Sequence, residues 1–202
     1  MNPIPLENGK YYHIYNRGNN GIDLFYDVEN YNHFLRLYAK YIDPIAETFA
    51  WCLMKNHFHF LVYIKETDEI DITKLEYSST DKPKTVKASK QFSNLFNAYT
   101  LAMNKRYNRT GSVFQKNFKR KVVASENYFQ KLIYYIHNNP VHHKFTEHIV
   151  EYPWSSYGTI ISTKETKLQR QRVIEIFNDL DNFKQYHSIN QNLEEIEDLI
   201  IE

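Results

Sequence analysis

The sequence contains few of the residues that mark disulfide-rich or disordered proteins. Cys52 is the single cysteine among 202 residues, which excludes an internal disulfide and suits a reducing compartment. We interpret it as a buried core thiol. With only five glycines and six prolines, long disordered linkers are not expected.

Long apolar runs are also missing. No stretch of about 18 apolar residues occurs, so no membrane span and no membrane partner are expected. Residues 1–18 lack the apolar core of a signal peptide. Together with the single cysteine, these absences predict a cytoplasmic protein. The length suits one large domain, or one domain with appendages.

An overall excess of charge is absent, but the charges are unevenly distributed. The formal net charge is +1, yet residues 82–131 hold twelve basic residues and one acidic residue. Residues 165–202 hold nine acidic and four basic residues. A basic middle with an acidic tail is typical of nucleic-acid binders. A solvated basic face is the alternative interpretation.

The hydrophobic pattern predicts strands and helices in alternation. We predict strands at 10–17, 49–53, 57–64 and 112–123, and helices at 27–42, 88–107, 126–138 and 169–188. Residues 54–56 form either a hairpin turn or a bulge in one long strand. This order predicts an α+β fold, in which an antiparallel sheet has its helices packed mainly on one face.

Several residues suggest where these elements begin and end. Asp27 and Ser125 are candidate helix N-caps, and Pro140 is expected to end the third helix. Residues 65–86 lack a clear period and are predicted to form a surface loop. Residues 193–202 are predicted to be an acidic amphipathic helix or a frayed tail.

Two histidines stand two residues apart within the apolar run WCLMKNHFHFLVYI at 51–64. Because strand side chains alternate, His57 and His59 share one face, while Phe58 and Phe60 point to the other. Two imidazoles on one rigid strand are suited to binding a divalent metal. The alternative is a hydrogen-bonded pair in the core, since no Cys-x-x-Cys or His-Glu-x-x-His motif supports a zinc site.

The third predicted helix contains a second cluster of functional side chains. Tyr135 and Asn139 lie four residues apart and therefore on one face, with Lys131 one turn earlier. His137 faces away from them. Taken alone, these residues fit an ordinary amphipathic helix edge.

Taken in order, several segments make the sequence recognisable. YHIYNRG, WCLMKNHFHFLV, RYNRTGSVFQKNFKRKVV, YYIHNNPV and EYPWSSY together resemble the single-tyrosine HUH transposases, in particular the REP-associated tyrosine transposases. The resemblance covers residues 11–157. It implies a ferredoxin/RRM-like HUH fold, with a transposase domain at 1–160 and a C-terminal helical extension at 161–202.

The resemblance also implies roles for individual residues. His57 and His59 match the metal-binding histidines, Tyr135 matches the nucleophile, and Asn139 matches a position that completes the metal site. It implies a divalent cofactor, Mg²⁺ or Mn²⁺, and single-stranded or hairpin DNA as the partner. Whether a homodimer exchanges the tyrosine helix, or one chain forms the site, stays open.

Two departures from the family pattern concern DNA contacts. Asn117 stands where an arginine often precedes the phenylalanine, and His142 and His143 stand where a basic and a small residue are common. These departures affect the expected DNA-contact details and leave the expected chemistry unchanged.

The chemistry of phosphodiester cleavage fits these residues independently. A phenol has a pKa of about 10 and needs activation as a nucleophile. A divalent ion on two imidazoles can polarise the phosphate. Candidate phosphate-contacting side chains are Lys105, Arg106, Arg109, Lys119, Arg120, Lys121 and Lys131. The alternatives are a non-catalytic nucleic-acid-binding module on the same fold and a hydrolase that uses a metal-bound water.

Overall fold

The computed structural model of the chain describes residues 4–75 and 86–194, and an antiparallel sheet lies at its centre. Its strands are β1 (Tyr11–Arg17), β2 (Ala46–Met54), β3 (His57–Ile64) and β4 (Lys119–Val123), in the order β2-β3-β1-β4. The helices are α1 (Val28–Tyr41), α2 (Ala88–Arg106), α3 (Glu126–His142), α4 (Tyr157–Ile161), α5 (Arg170–Ile176) and α6 (Leu180–Ser188). This arrangement confirms the predicted α+β class with a ferredoxin-like strand order.

The sheet separates two apolar cores. On one face Tyr12, Phe58 and Phe60 pack with α1 and α2. On the other face Leu61 and Val123 pack with α3 and the C-terminal helices. Helices therefore cover both apolar faces of the sheet, rather than mainly one face as predicted. Helices α1 and α2 lie on one face, and α3 to α6 lie on the other.

The β2–β3 connection is a hairpin with Lys55 and Asn56 at the turn. This decides between the two alternatives left open for residues 54–56. The backbone N–H groups of Leu24 and Phe25 both donate to the Lys55 carbonyl, at 2.7 and 3.0 Å. These bonds hold the turn against the chain that precedes α1, and so fix the end of β3 where His57 begins.

Helix α3 is longer than predicted, because Pro140 lies inside it and the helix continues to His142. A proline ring fits the helical φ and removes one N–H group, a small loss two residues from the helix end. The predicted cap is confirmed, since Ser125 Oγ accepts from the Tyr128 N–H at 3.3 Å. The continued helix keeps Asn139 in regular register with Tyr135.

Two other predicted elements are shorter in the structure. Only Lys119–Val123 of the predicted strand 112–123 is a strand, because Asn117 adopts a left-handed φ of 62°. The predicted helix 169–188 is divided, with Asn178 at φ 70° and Asp179 capping α6 through a 2.7 Å bond from the Asn182 N–H. Predictions for residues 76–85 and 195–202 fall outside the described residues.

The described part of the C-terminal extension packs on the domain. Val173, Phe177 and Phe183 are at most 3% exposed and lie in the same core as α3. The domain boundary at residue 160 stays a prediction. Across residues 4–75 and 86–194, no helix has the length and apolar character that a bilayer crossing requires.

A chain of hydrogen bonds joins α6, α3 and β2. His187 Nδ1 donates to the Phe183 carbonyl at 2.8 Å, so His187 Nε2 is left to accept from His137 Nδ1 at 3.0 Å. His137 Nε2 then accepts from the Ser156 hydroxyl at 2.8 Å, and Ser156 Oγ accepts from the Trp51 N–H at 2.9 Å. Each donor finds one acceptor only if both imidazoles are neutral.

Acid should therefore destabilise the fold. Burial lowers the pKa of His187 to about 4 and that of His137 well below its ordinary value. Between about pH 6.5 and 4, the unfolded histidines bind protons that the folded ones do not, so stability falls as pH falls. We expect the free energy of unfolding to drop by roughly 2 kcal/mol per such histidine between pH 7 and pH 5.

Urea unfolding at several pH values measures this dependence. His187→Gln should reduce the pH dependence as well as the stability at pH 7. His148→Gln, at an exposed histidine, should change neither. A wild-type urea midpoint that is the same at pH 7 and pH 5 would contradict the expectation.

Candidate active site

Strand β3 places His57 and His59 on the face of the sheet that α3 covers. Their imidazole rings lie 5.3 Å apart at an angle of 88°. β3 is an interior strand, so His59 lies between Cys52 of β2 and Tyr15 of β1. Both histidines are buried, at 9% and 2% exposure. The predicted common face is confirmed.

Helix α3 brings the other two predicted residues to this face within the same chain. Asn139 Oδ1 lies 3.3 Å from His57 Nε2. The Tyr135 ring meets the His59 ring edge-on at 5.3 Å. His57, His59, Tyr135 and Asn139 therefore form one cluster, although the two pairs are far apart in the sequence. Tyr135 is 5% exposed.

The contacts of His57 define its protonation. Its Nδ1 lies 2.7 Å from Asn56 Oδ1 and its Nε2 lies 3.3 Å from Asn139 Oδ1. A neutral ring can donate to only one of these oxygens, and the shorter contact favours a proton on Nδ1. Burial, with help from the nearby His143, lowers the pKa of His57 to about 4, so the ring is neutral at pH 7. The lone pair on Nε2 then faces the Asn139 oxygen, and Asn139 Nδ2 is buried without a partner. A cation bound by His57 Nε2 and Asn139 Oδ1 would satisfy both acceptors. A flipped Asn139 amide, which would donate from Nδ2 to His57 Nε2, would satisfy them as well.

The sequence motifs did not assign a role to His13, which the structure places in the same cluster. His13 Nε2 and His59 Nδ1 are 2.9 Å apart, and the two rings stack at 5.1 Å. Burial lowers the pKa of His59 well below its ordinary value, and burial and Lys121 lower that of His13 to about 3. His59 Nε2 is buried with no hydrogen-bond partner. The sequence did contain a signal for the position of His13. Side chains alternate along β1, so His13 lies on the same face of the strand as Tyr15.

A small cavity adjoins the two predicted ligands. Its volume is about 50 Å³, enough for an ion with water and too small for a nucleotide. The lining residues are Tyr15, Asn16, Arg17, His57, His59, Gln115, Lys119 and His143. Tyr135 is not among them.

The donor atoms of the predicted ligands fit a divalent cation. The imidazoles of His57 and His59 line the cavity, and the amide oxygen of Asn139 lies beside it, 3.3 Å from His57 Nε2. Such a mixed set suits Mn²⁺ or Mg²⁺. Within the described residues, no three His, Cys, Asp or Glu side chains converge on one point. Water would therefore have to fill the remaining positions around such an ion.

Three of the predicted basic residues lie near this cluster. Lys119 and Lys121 of β4 pair with Tyr15 and His13 of β1, so both lie on the histidine face. Lys119 also lines the cavity. Lys131 lies on α3 one turn before Tyr135. These three lysines add positive charge on the face of the sheet that holds the neutral imidazoles.

Arg120 points to the opposite face, into a second, larger groove. Its guanidinium lies 4.3 Å from the centre of the Phe118 ring. The groove has a volume of about 410 Å³ and also contains Lys90 and Lys116. Its other lining residues are Asn16, Ser89, Ser93, Phe96, Asn97, Thr100, Ser112, Phe114, Gln115, Asn117 and Phe118. Asn16 and Gln115 line both the groove and the histidine cavity.

The remaining predicted cations are not brought to the cluster. Lys105 and Arg106 end α2, which packs on the opposite face, and Arg109 follows it. Arg106 bonds to Asp27 at 2.7 Å. A role of these three residues in DNA binding stays a prediction.

The structure shows where the three residues that depart from the family pattern lie. Asn117 occupies a left-handed conformation that asparagine tolerates better than most residues. The His143 ring lies 4.9 Å from the His57 ring and borders the cavity. His142 is the last residue of α3.

Comparisons with known proteins agree with the motifs. No protein-family model matches the chain. A Haemophilus influenzae protein named "Putative REP-associated tyrosine transposase" is 25% identical over 112 residues, or 55% of this chain. The match spans only 58% of that protein's length.

A solved structure of a REP-associated tyrosine transposase bound to a REP hairpin is also similar. It superposes with a TM-score of 0.60 at 16% identity and covers 81% of this chain and 85% of its own. The structural likeness shows the shared fold. Together the two comparisons confirm the resemblance to REP-associated tyrosine transposases that the sequence motifs indicated.

Proposed function

We propose that the protein is a DNA strand transferase of the transposase type that acts through a covalent phosphotyrosine. The observation that carries this proposal is the single-chain cluster of Tyr135, His59, His57 and Asn139, with the rings of Tyr135 and His59 5.3 Å apart. A binding module has no need for a phenol packed beside a pair of neutral imidazoles. The similarity to REP-associated tyrosine transposases supports the same reaction.

Tyr135 is the nucleophile in this proposal. Its phenolic oxygen bonds to the phosphorus as the bond from phosphorus to the oxygen of the other DNA end breaks. The phenol loses its proton, and the released DNA end gains one to become a free hydroxyl. Because the phosphotyrosine keeps an ester bond, a second DNA hydroxyl can reverse the step and join new ends without ATP.

Access to the tyrosine requires a small rearrangement. Tyr135 is 5% exposed and does not line the histidine cavity. A rotation of its ring, or a shift of the C-terminal half of α3, has to bring the hydroxyl to a bound phosphate. The adjoining Asn139 moves with the same helix, so such a shift would also change its contact with His57.

The metal site belongs to the proposal. His57, His59 and Asn139 would hold the ion. A divalent cation there would polarise the phosphate oxygens and offset the negative charge that develops on them. The neutral state of both imidazoles is what the protein supplies, since a protonated ring cannot be a ligand.

DNA is the proposed substrate, in a single-stranded or hairpin form. Lys119, Lys121 and Lys131 lie near the cluster and can contact phosphates on either side of the cut. The groove at Arg120 shares Asn16 and Gln115 with the lining of the cavity and offers cations, amides and hydroxyls to an unpaired strand. The solved neighbour was bound to a REP hairpin, which supports this substrate class.

Covalent capture of DNA tests the nucleophile. With labelled hairpin DNA and Mn²⁺, wild-type protein should give an adduct that survives denaturation, and Tyr135→Phe should give none, because the attacking oxygen is gone. Denaturing electrophoresis detects the adduct. Tyr134→Phe is the matched control, since Tyr134 is a buried neighbour that contacts Tyr186 and His187 instead.

The other outcomes identify the alternatives. Cleavage that persists in Tyr135→Phe would indicate a hydrolase with a water nucleophile. Tight DNA binding without cleavage under Mn²⁺ or Mg²⁺ would indicate a non-catalytic binding module. An adduct that depends on Tyr134 would show that the nucleophile is misassigned.

Thermal unfolding in the presence of Mn²⁺ tests the ligands. A site filled at about 100 times its dissociation constant stabilises the folded state by about 2.7 kcal/mol, which raises the unfolding temperature. His57→Ala and His59→Ala should abolish this rise, whereas His33→Ala, on the opposite face, should keep it. An equal rise in all four proteins would rule out this metal site.

A further inference from the structure

His13 occupies a fixed position behind His59. It is fully buried in β1, an interior strand between β3 and β4. Its ring lies 4.7 Å from that of Tyr15 on the same face. Its Nε2 faces His59 Nδ1 at 2.9 Å, a normal hydrogen-bond distance. His13 does not line the cavity, so it can act on the candidate ligands there through His59. Its ring also meets the Tyr135 ring edge-on at 6.2 Å.

The hydrogen bond between the two rings allows two tautomeric arrangements. Two neutral imidazoles share one proton across the contact, so one ring donates and the other accepts. If His13 donates, His59 carries its own proton on Nε2 and has no lone pair there. If His59 donates from Nδ1, its Nε2 carries the lone pair.

The outer nitrogens do not decide between these arrangements by themselves. His13 Nδ1 and His59 Nε2 are both buried without partners, so each arrangement leaves one donor and one acceptor unsatisfied. A cation changes the balance, because it can satisfy His59 Nε2 only as an acceptor. The arrangement in which His59 donates to His13 is therefore the one compatible with a ligand at His59.

The other predicted ligand supplies an independent parallel. When His57 Nδ1 donates to Asn56 Oδ1, which lies 2.7 Å away, Nε2 of His57 keeps its lone pair. Metal-bound histidines generally donate their second N–H to such an acceptor, which fixes tautomer and ring orientation. His59 has no carbonyl or carboxylate in this position, and His13 Nε2 takes its place.

We propose that His13 is a positioning residue that accepts a hydrogen bond from His59 Nδ1 and so holds His59 in the tautomer whose Nε2 can bind a divalent cation. This inference rests on the metal site of the proposed function. It assigns a role to a residue that does not touch the ion or the DNA. It also explains why an imidazole, rather than an apolar side chain, is buried at this point of β1.

The tautomers of the wild-type protein test the proposal directly, when they are followed as Mg²⁺ is added. In histidine labelled with ¹⁵N, long-range proton–nitrogen correlations at pH 7 distinguish a protonated Nδ1 from a protonated Nε2. With Mg²⁺ bound, we expect His59 to be protonated on Nδ1 and His13 to be bare on the Nε2 that accepts this proton. A His13 ring that stays protonated on Nε2 while Mg²⁺ is bound overturns the proposal, whatever the protein's activity.

Mn²⁺ affinity in variants tests the consequence. His13→Leu removes the acceptor and should weaken Mn²⁺ binding by about 10- to 100-fold, as loss of a ligand's hydrogen-bond partner typically does. His13→Gln restores an acceptor oxygen and should recover part of the affinity. His33→Leu, at a histidine of α1 beside Tyr99, is the matched control and should bind as wild type does.

The outcomes separate this inference from the proposed function. Wild-type binding with unchanged affinity in His13→Leu overturns the role of His13 and leaves the metal site intact. No Mn²⁺ binding by the wild-type protein overturns both. If His13→Leu does not fold, the tautomer of wild-type His59 and the affinity of His13→Gln still decide.

Discussion

The burial of β3 on both of its faces is the constraint on which the site depends. One face inserts Phe58 and Phe60 into the core under α1 and α2. The opposite face presents His57 and His59 beneath α3, away from water. Desolvation disfavours the charged imidazolium, so both rings stay neutral over the physiological range. A strand exposed on one side would present the same two histidines with ordinary pKa values and freely rotating rings.

Helix α3 completes the site because the C-terminal helices pack against the side of α3 that faces away from β3. Its inner face carries Tyr135 and Asn139 to β3, while His137 points away into the hydrogen-bond chain that includes Ser156 and His187. This chain has a fixed direction, since the Phe183 carbonyl can only accept. The C-terminal helices therefore help to set the position of Tyr135 and Asn139, although none of their residues reaches the site.

Sequence periodicity predicted the features that depend on local geometry. Alternation placed His57 and His59 on one face, and helical spacing placed Tyr135 with Asn139. It did not predict His13, because the partner of a buried imidazole depends on strand order, and β1 lies beside β3 only in the folded sheet. It also ended α3 too early, because Pro140 loses only its own N–H bond, and the residues after it close the helix end. The N–H groups of His143 and Phe145 donate to the carbonyls of Asn139 and Pro140, at 3.0 and 2.8 Å.

The distribution of charge in the fold differs from its distribution in the sequence. The basic stretch looked continuous, yet β4 sends Lys119 and Lys121 to the histidine face and Arg120 to the groove on the other. β4 is also an edge strand, where lysines discourage pairing with another sheet. The cations thus remain at a hydrated rim and the neutral imidazoles lie inside. This separation matters chemically: lysines at the rim can attract a phosphate while deeper nitrogens keep the lone pairs that a metal requires.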